Sequence, residues 1–120
     1  MWRIRLVLRR LKNLLRWLPV IWRDEQWDHY FIYEVLKHKL IIMSKTIRER
    51  DNHTLAEYDA DRMMLCVRLI EKVQSEFYLT ELINLEEINK DMIDTAEAQH
   101  NKARRILFKL LNQYIERWWD

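Results

Sequence analysis

The sequence predicts an all-α fold, a bundle of three long helices preceded by a basic amphipathic helix. The 120 residues include no glycine and one proline, which disfavours the glycine-rich phosphate loops and tight β-hairpin turns that need positive φ angles. Apolar residues recur three and four positions apart along most of the chain, as they do on one face of a helix. Hydrophobic residues make up 49% of the sequence, enough for one core. We therefore expect residues 1–120 to form a single helical domain.

Residues 1–18 are predicted to form the basic N-terminal helix. Their apolar residues follow helical spacing: Ile4, Leu8, Leu11, Leu15 and Leu18. Residues 1–23 carry seven basic and no acidic side chains, whereas residues 24–120 carry a net charge of −5. Pro19 is expected to end or kink this helix. The longest charge-free run in the segment has six residues, and a membrane-spanning helix needs about 20, so we expect no membrane span.

Three longer helices are predicted to form the bundle, over residues 24–50, 54–89 and 92–119. At 1.5 Å per residue each is long enough to span roughly 35 Å, which suits an antiparallel three-helix core. Each carries an apolar stripe at helical spacing. The predicted core residues are, in chain order, Phe31, Val35, Leu36, Leu40, Met43 and Ile47; Met63, Cys66, Ile70, Val73 and Phe77; and Ala96, Ala103, Leu107, Leu110, Tyr114 and Trp118.

Side chains that cap helix N-termini mark where the bundle helices begin. Asp24 is predicted to cap the first of them, since its carboxylate can accept hydrogen bonds from free backbone N–H groups. Thr54 and Glu57 have the spacing of a capping box for the second. Asp91 or Asp94 is predicted to cap the third.

The sequence contains no catalytic signature. Ser44 and Ser75 lie within helical patterns, and Cys66 lies in an apolar run that predicts a buried, unreactive thiol. A helical di-iron site needs two Glu-x-x-His pairs, and the chain supplies one, Glu97 with His100. We therefore expect no enzymatic activity, no cofactor and no bound metal ion.

One strip of the first bundle helix is a candidate ligand-binding surface. His29, Tyr33 and Lys37 lie four residues apart on one helical face, and Tyr30 lies beside them. Aromatic rings stack on bases, and lysine neutralises phosphate, so this set suits a phosphorylated nucleotide. The alternative is that the rings fill the core and the charged groups form ordinary surface pairs.

Arg62 is the fifth candidate ligand-binding residue. It follows Tyr58 and Asp59 along one face of the next helix and precedes apolar residues, so its guanidinium needs a partner. A carboxylate of the protein, such as Glu34, would satisfy it, and so would a ligand phosphate.

The basic N-terminal helix has three alternative roles. Its apolar face can pack on the bundle or on a second copy of the chain. It can lie on a membrane, with the apolar face at the headgroup boundary and the arginines near anionic lipid. It can also bind single-stranded nucleic acid through arginines interleaved with tryptophans.

Two stretches of the chain carry a resemblance to a known group. Residues 22–29 read WRDEQWDH, and residues 59–70 read DADRMMLCVRLI. Their patterns, W-x-D-x-x-W-D-H and D-A-x-x-M-M-x-C-x-R-L-I, resemble those of small helical proteins encoded by tailed bacteriophages and gut viruses, a group with no assigned activity. The resemblance covers about residues 20–80 and implies a phage accessory protein made in the host bacterial cytoplasm.

This context suggests an anti-defence protein that sequesters a host immune signalling nucleotide, a cyclic oligonucleotide or an ADP-ribose derivative, without catalysis. The expected ligand-binding residues are His29, Tyr30, Tyr33, Lys37 and Arg62. We also expect a homo-oligomer, because 14 aromatic residues are many for so small a core. One alternative is a protein–protein inhibitor of a host defence or replication protein. Another is an accessory protein that contacts nucleic acid or a membrane surface through residues 1–18.

Overall fold

The computed structural model describes residues 2–25, 27–50 and 55–118, and every regular element in these ranges is helical. In chain order the elements are α1 (Trp2–Arg23), α2 (Tyr30–Arg50), α3 (Ala56–Gln74), α4 (Phe77–Ile83), α5 (Lys90–Tyr114) and a short 3-10 helix (Ile115–Arg117). The all-α class is confirmed for the part of the chain that the structure describes. The predicted division into helices differs, since residues 54–89 do not form one continuous helix.

The chain divides into two compact units, Met1–Val35 and Leu36–Asp120. The first unit contains α1 and the beginning of α2. The second contains the remainder of α2 together with α3, α4, α5 and the 3-10 helix.

The helix α1 is longer than the predicted 1–18, because it continues through Pro19 to Arg23. Proline removes a single helical hydrogen bond. The residues that follow it contain no turn former, so the helical pattern resumes at once. Of the two predicted effects of Pro19, ending the helix is therefore wrong, and a kink stays a prediction. The Asp24 N–H donates a hydrogen bond to the Ile21 carbonyl at 3.2 Å, just beyond the last residue of α1.

The helix α2 begins at Tyr30 rather than at residue 24, because Asp28 and not Asp24 caps it. The Tyr30 N–H donates a hydrogen bond to Asp28 Oδ1 at 2.9 Å. The N–H groups of Phe31 and Ile32 are bonded to the carbonyls of Asp28 and His29. The correct cap was also an acidic residue, four positions further along the chain.

The predicted helix 54–89 is divided into α3 and α4 by a break at Ser75 and Glu76. Glu76 adopts the left-handed conformation, with φ 49° and ψ 44°, and its carbonyl then accepts hydrogen bonds from the N–H groups of Leu79 and Thr80 at 2.9 Å. The sequence carries no glycine to signal this turn. Of the predicted capping box, Thr54 lies outside the described residues.

Replacing Glu76 with glycine is expected to stabilise the fold by about 1 kcal/mol, because left-handed backbone costs roughly 1–2 kcal/mol per non-glycine residue and almost nothing for glycine. The measurement is the free energy of unfolding from urea titration. Ser75→Gly is the matched control, since Ser75 has ordinary right-handed geometry with φ −81°. This control should lose about 0.5–1 kcal/mol. Equal effects of the two substitutions would contradict the left-handed turn.

The helix α5 begins at Lys90, and its cap is Asn89 rather than Asp91 or Asp94. Asn89 Oδ1 accepts a hydrogen bond from the Met92 N–H at 2.9 Å. Asparagine is as good an N-cap as aspartate, so residue preference alone does not choose between neighbouring candidates.

The core of the second unit forms where α3 packs on α5, with α4 packed against both. The predicted stripe of α3 is confirmed from Met63 to Val73, whereas Phe77 is exposed. On α5 the prediction holds except at Leu110 and Tyr114, which are half-buried, while the neighbouring Leu111 is buried. Trp118, which follows the 3-10 helix, is also buried. The buried residues of α3 and α5 are Ala56, Asp59, Ala60, Met63, Cys66, Val67, Ile70, Val73, Ala96, Ala103, Leu107 and Leu111.

The C-terminal half of α2 contacts α3 through side chains. The Ser44 hydroxyl lies 3.3 Å from Met64 Sδ, and Arg48 Nη2 lies 2.6 Å from Asp61 Oδ1. The ion pair is substantially exposed and is therefore worth at most about 1 kcal/mol. Of the stripe predicted for α2, Leu40 and Ile47 are buried, Val35 is exposed, and the other three are half-buried.

Candidate functional site

The apolar side of α1 is exposed to solvent. We define the α1 face as Ile4, Leu8, Leu11, Leu15, Leu18 and Trp22, which follow helical spacing, with Val7 and Leu14 beside them. The exposed fraction of these side chains runs from 49% at Leu11 to 85% at Trp22. An apolar stripe of this length is normally buried in a soluble protein, and contiguous exposed apolar residues mark a binding surface.

Cations flank the α1 face on both sides. At 3.6 residues per turn, Arg5 and Lys12 lie along one edge of the face, and Arg3 and Arg10 lie along the other, while Arg9 and Arg16 lie nearer the opposite side of the helix. No acidic residue occurs in α1. The helix therefore presents an apolar strip between two positively charged borders. Among the described residues, no helix is both long enough and apolar enough to span a membrane.

The five predicted ligand-binding residues fall in both compact units. His29, Tyr30 and Tyr33 belong to the first unit, and Lys37 and Arg62 belong to the second. The His29 side chain is 86% exposed and precedes α2. On α2, Tyr30 is exposed, whereas Tyr33 and Lys37 are half-buried.

His29 borders an open cavity of about 640 Å³ in the first unit. Three carboxylates, those of Asp24, Glu25 and Asp28, line the same cavity. Asp28 Oδ1 lies 3.7 Å from His29 Nδ1. Carboxylates repel a phosphate group, so the surroundings of His29 favour a cationic ligand over the predicted nucleotide.

A second cavity, of about 490 Å³, lies in the second unit where α4 and α5 meet. Its walls include Leu82 and Met92, and its rim includes the carboxylates of Glu81 and Asp91. No lysine or arginine lines it in the described part of the chain. This cavity is therefore also poorly suited to phosphate.

Arg62 lies instead in a cluster formed where α3 meets the end of α5. We define the Tyr–Arg cluster as Tyr58, Arg62, Tyr114 and Arg117. The two phenol oxygens are hydrogen-bonded at 3.2 Å, and the rings meet edge to face with centroids 6.1 Å apart. The Arg62 guanidinium carbon lies 4.8 Å from the Tyr58 ring centre, and that of Arg117 lies 5.8 Å from the same centre. These distances are within the range of cation–π attraction.

The hydrogen bond between the two phenols of the Tyr–Arg cluster shifts their pKa values in opposite directions. The pKa of Tyr58 is lowered from its ordinary value, chiefly by the hydrogen bond with Tyr114 and further by the charges of Arg62 and Arg117. The pKa of Tyr114 is raised, chiefly by the same hydrogen bond with Tyr58. Asp59 is buried beside the cluster, with its Oδ1 3.9 Å from Arg117 Nη2.

Patterns in the sequence pointed to Arg62 but not to the cluster around it. Tyr58 and Arg62 lie one helical turn apart, and this spacing was visible in the sequence. Tyr114 was predicted as a core residue, and Arg117 was not singled out. Their proximity to Tyr58 depends on the packing of α3 against α5, which no local sequence pattern predicts.

The described residues give little support for a metal site or for a cysteine nucleophile. Within residues 2–25, 27–50 and 55–118, no group of three or more His, Cys, Asp or Glu residues is placed to hold a metal ion. Burial raises the pKa of the Cys66 thiol to about 11, so at neutral pH the group is protonated and a poor nucleophile.

Comparison with known proteins gives no relative from which a role can be carried over. The chain matches no family model, no curated protein sequence and no solved structure.

Proposed function

We propose that this protein binds the surface of anionic lipid bilayers through α1. The observation that supports this most strongly is the exposed α1 face bordered by cations. Interfacial helices bury their apolar face at the boundary between headgroups and acyl chains while arginine and lysine attract anionic lipid. The α1 helix has both parts of this arrangement.

The dimensions and side chains of α1 suit a helix lying in the membrane plane. Its 22 residues span about 33 Å at 1.5 Å per residue. Arginine and lysine extend long aliphatic stems, so cations beside an apolar strip can reach the headgroups while the strip is inserted. Trp22, on the α1 face near the end of the helix, is exposed, and indole rings favour the membrane interface.

The alternative partners of α1 account for only part of these features. A nucleic acid would pair with the cations but would leave the apolar strip in water. A second copy of the chain would cover the strip but would bring two sets of seven cations together, since residues 1–23 hold no acid to offset them. A bilayer containing anionic lipid satisfies the apolar strip and the charges at once.

The nucleotide-sequestration hypothesis keeps one supporting observation, which is the second arginine beside Arg62 in the Tyr–Arg cluster. The acidic lining around His29 argues against a phosphate there. The anti-defence role and the phage context follow from the resemblance of residues 20–80 and remain predictions. A membrane-surface protein is compatible with a phage accessory role.

The proposal is tested by co-sedimentation of the full chain with lipid vesicles. We expect strong binding to vesicles of phosphatidylcholine mixed with phosphatidylglycerol and much weaker binding to phosphatidylcholine alone. The difference arises because each basic residue near an anionic surface contributes about 1 kcal/mol. Salt should weaken the binding, since it screens these charges.

The emission of the exposed tryptophans gives an independent readout. The emission of Trp22, which belongs to the α1 face, should shift to shorter wavelength when anionic vesicles are added, because its ring leaves water. Equal binding to neutral and anionic vesicles would contradict the role of the cations. No binding to either, combined with a stable dimer in light scattering, would assign the α1 face to self-association instead.

A further inference from the structure

The Tyr–Arg cluster of the second unit has the chemistry of a site for a phosphate monoester. Two guanidinium groups lie within 6 Å of one phenol ring centre, at 4.8 Å for Arg62 and 5.8 Å for Arg117. Like charges held so close together repel each other, and a bound anion relieves that repulsion. Each guanidinium offers a planar fork of N–H donors that matches phosphate oxygens.

In the described part of the chain, little negative charge of the protein itself offsets the positive charges of Arg62 and Arg117. The ion pair found there joins Arg117 to Asp59, and its 3.9 Å separation is near the limit for such a contact. Arg62 Nε is buried, and it has no hydrogen-bond acceptor among the described residues. The cluster therefore retains positive charge and an unused donor.

The cluster is also accessible and held in place. The Arg117 side chain is 44% exposed, and Tyr58 is exposed as well. Tyr58 and Arg62 are fixed one turn apart on α3, while Tyr114 ends α5 and Arg117 ends the 3-10 helix. The phenol hydrogen bond ties the two elements together at 3.2 Å. A ligand reaching this surface would meet arginines whose positions are already restricted, which reduces the entropy lost on binding.

We infer that Arg62 and Arg117, supported by the hydroxyls of Tyr58 and Tyr114, bind the phosphate group of a phosphate monoester. The phosphate is the recognised group, and a nucleotide or a lipid headgroup can supply it. This site is independent of the proposed membrane binding by α1, because none of its four residues belongs to that helix.

The test is isothermal titration calorimetry of the full chain with inorganic phosphate, AMP, adenosine and a soluble short-chain phosphatidic acid. We expect phosphate and AMP to bind and adenosine to fail. Tighter binding of AMP than of phosphatidic acid would identify a nucleotide as the source. The reverse order would identify a lipid headgroup if R62Q also weakens the binding of phosphatidic acid, which binding by α1 would not do. Binding of adenosine as tight as that of AMP would overturn the proposal.

Arginine variants decide whether the cluster is the site. R62Q is expected to weaken AMP binding by about 10- to 100-fold, because the charge-assisted hydrogen bonds from the guanidinium to the phosphate are lost. R62K should give a smaller loss, because it retains the charge but not the planar fork. R68Q is the matched control, as Arg68 lies on the same helix and is exposed. Unchanged affinity in R62Q, or an equal loss in R68Q, would overturn the proposal.

R117Q tests the second arginine and should produce a loss similar to that of R62Q. Its partner Asp59 is buried, so this variant can also lower stability. Thermal unfolding of each variant without ligand separates the two effects. If R117Q does not fold, the result for R62Q decides the matter, because Arg62 lies 4.8 Å from the Tyr58 ring centre and does not form the Asp59 ion pair.

Discussion

Replacing Leu8, Leu11 and Leu15 together with glutamine is expected to reduce partitioning onto phosphatidylglycerol-containing vesicles by about 100-fold or more. Burying a leucine fully is worth about 1.5–3 kcal/mol. These three side chains are about half to two-thirds exposed, so each should gain about 1 kcal/mol or more on entering the interface. The combined loss of about 3–4 kcal/mol corresponds to at least 100-fold in affinity. Vesicle co-sedimentation at several lipid concentrations measures it.

The substitutions are chosen to change the apolar strip alone. Leucine and glutamine are both uncharged, and glutamine is a good helix former, so the charge and the helical content of α1 should be preserved. The matched control replaces three exposed apolar residues of the second unit with glutamine: Ile83, Phe108 and Ile115. This control should bind vesicles like the unaltered chain.

Two outcomes would contradict the membrane proposal. Equal losses in the α1 variant and in the control would mean that general surface hydrophobicity, and not the α1 face, drives adsorption. Unfolding of the α1 variant, detected by circular dichroism, would mean that these leucines pack within the protein. The second outcome corresponds to the alternative in which α1 belongs to the core.

The class of the fold was predictable because it depends on patterns that repeat along the chain. Helical spacing from Met63 to Val73 and from Ala96 to Leu107 identified most of the residues that α3 and α5 bury over these ranges, Val67 being missed. Such stripes specify which side faces inward regardless of the partner. The absence of glycine disfavoured β-hairpins, and every regular element among the described residues is helical. At one turn where glycine would be expected, Glu76 adopts the left-handed conformation instead.

The boundaries were less predictable because several residues near each end had similar capping ability. Asp24 and Asp28 are both acceptable caps, and Asn89 competes with Asp91 only two residues away. The choice depends on the backbone path between helices. The break at Glu76 had no local signal, since nothing in the residue type favours positive φ.

The candidate sites also differ in how far the sequence predicts them. The α1 face was visible as an amphipathic pattern with an excess of cations, and the structure adds that its apolar residues are exposed. The Tyr–Arg cluster was not visible, because Arg117 and Tyr58 are distant in sequence and meet through the packing of α3 and α5. The acidic neighbours of His29 are close to it in the sequence, but the prediction of a phosphate ligand there did not take their charge into account.

Leu107→Ala is expected to destabilise the second unit by about 3 kcal/mol. Leu107 is fully buried on α5, the helix that packs against both α3 and α4. Truncating a buried leucine costs about 2–5 kcal/mol, because apolar contacts are lost and a cavity remains. In a domain whose whole stability is about 5–15 kcal/mol, this is a large fraction. The midpoint of thermal unfolding should fall by roughly 12–24 °C for a unit of this size.

Ile106→Ala is the matched control for this substitution. Ile106 is the adjacent residue on α5 and is 39% exposed, so truncation leaves little cavity and should cost about 1 kcal/mol. Urea titration of both variants measures the difference. Equal losses would mean that α5 is not rotated as described, with residue 107 inward and residue 106 outward. Because the α1 face lies in the first unit, Leu107→Ala should leave vesicle binding unchanged at temperatures where the second unit remains folded.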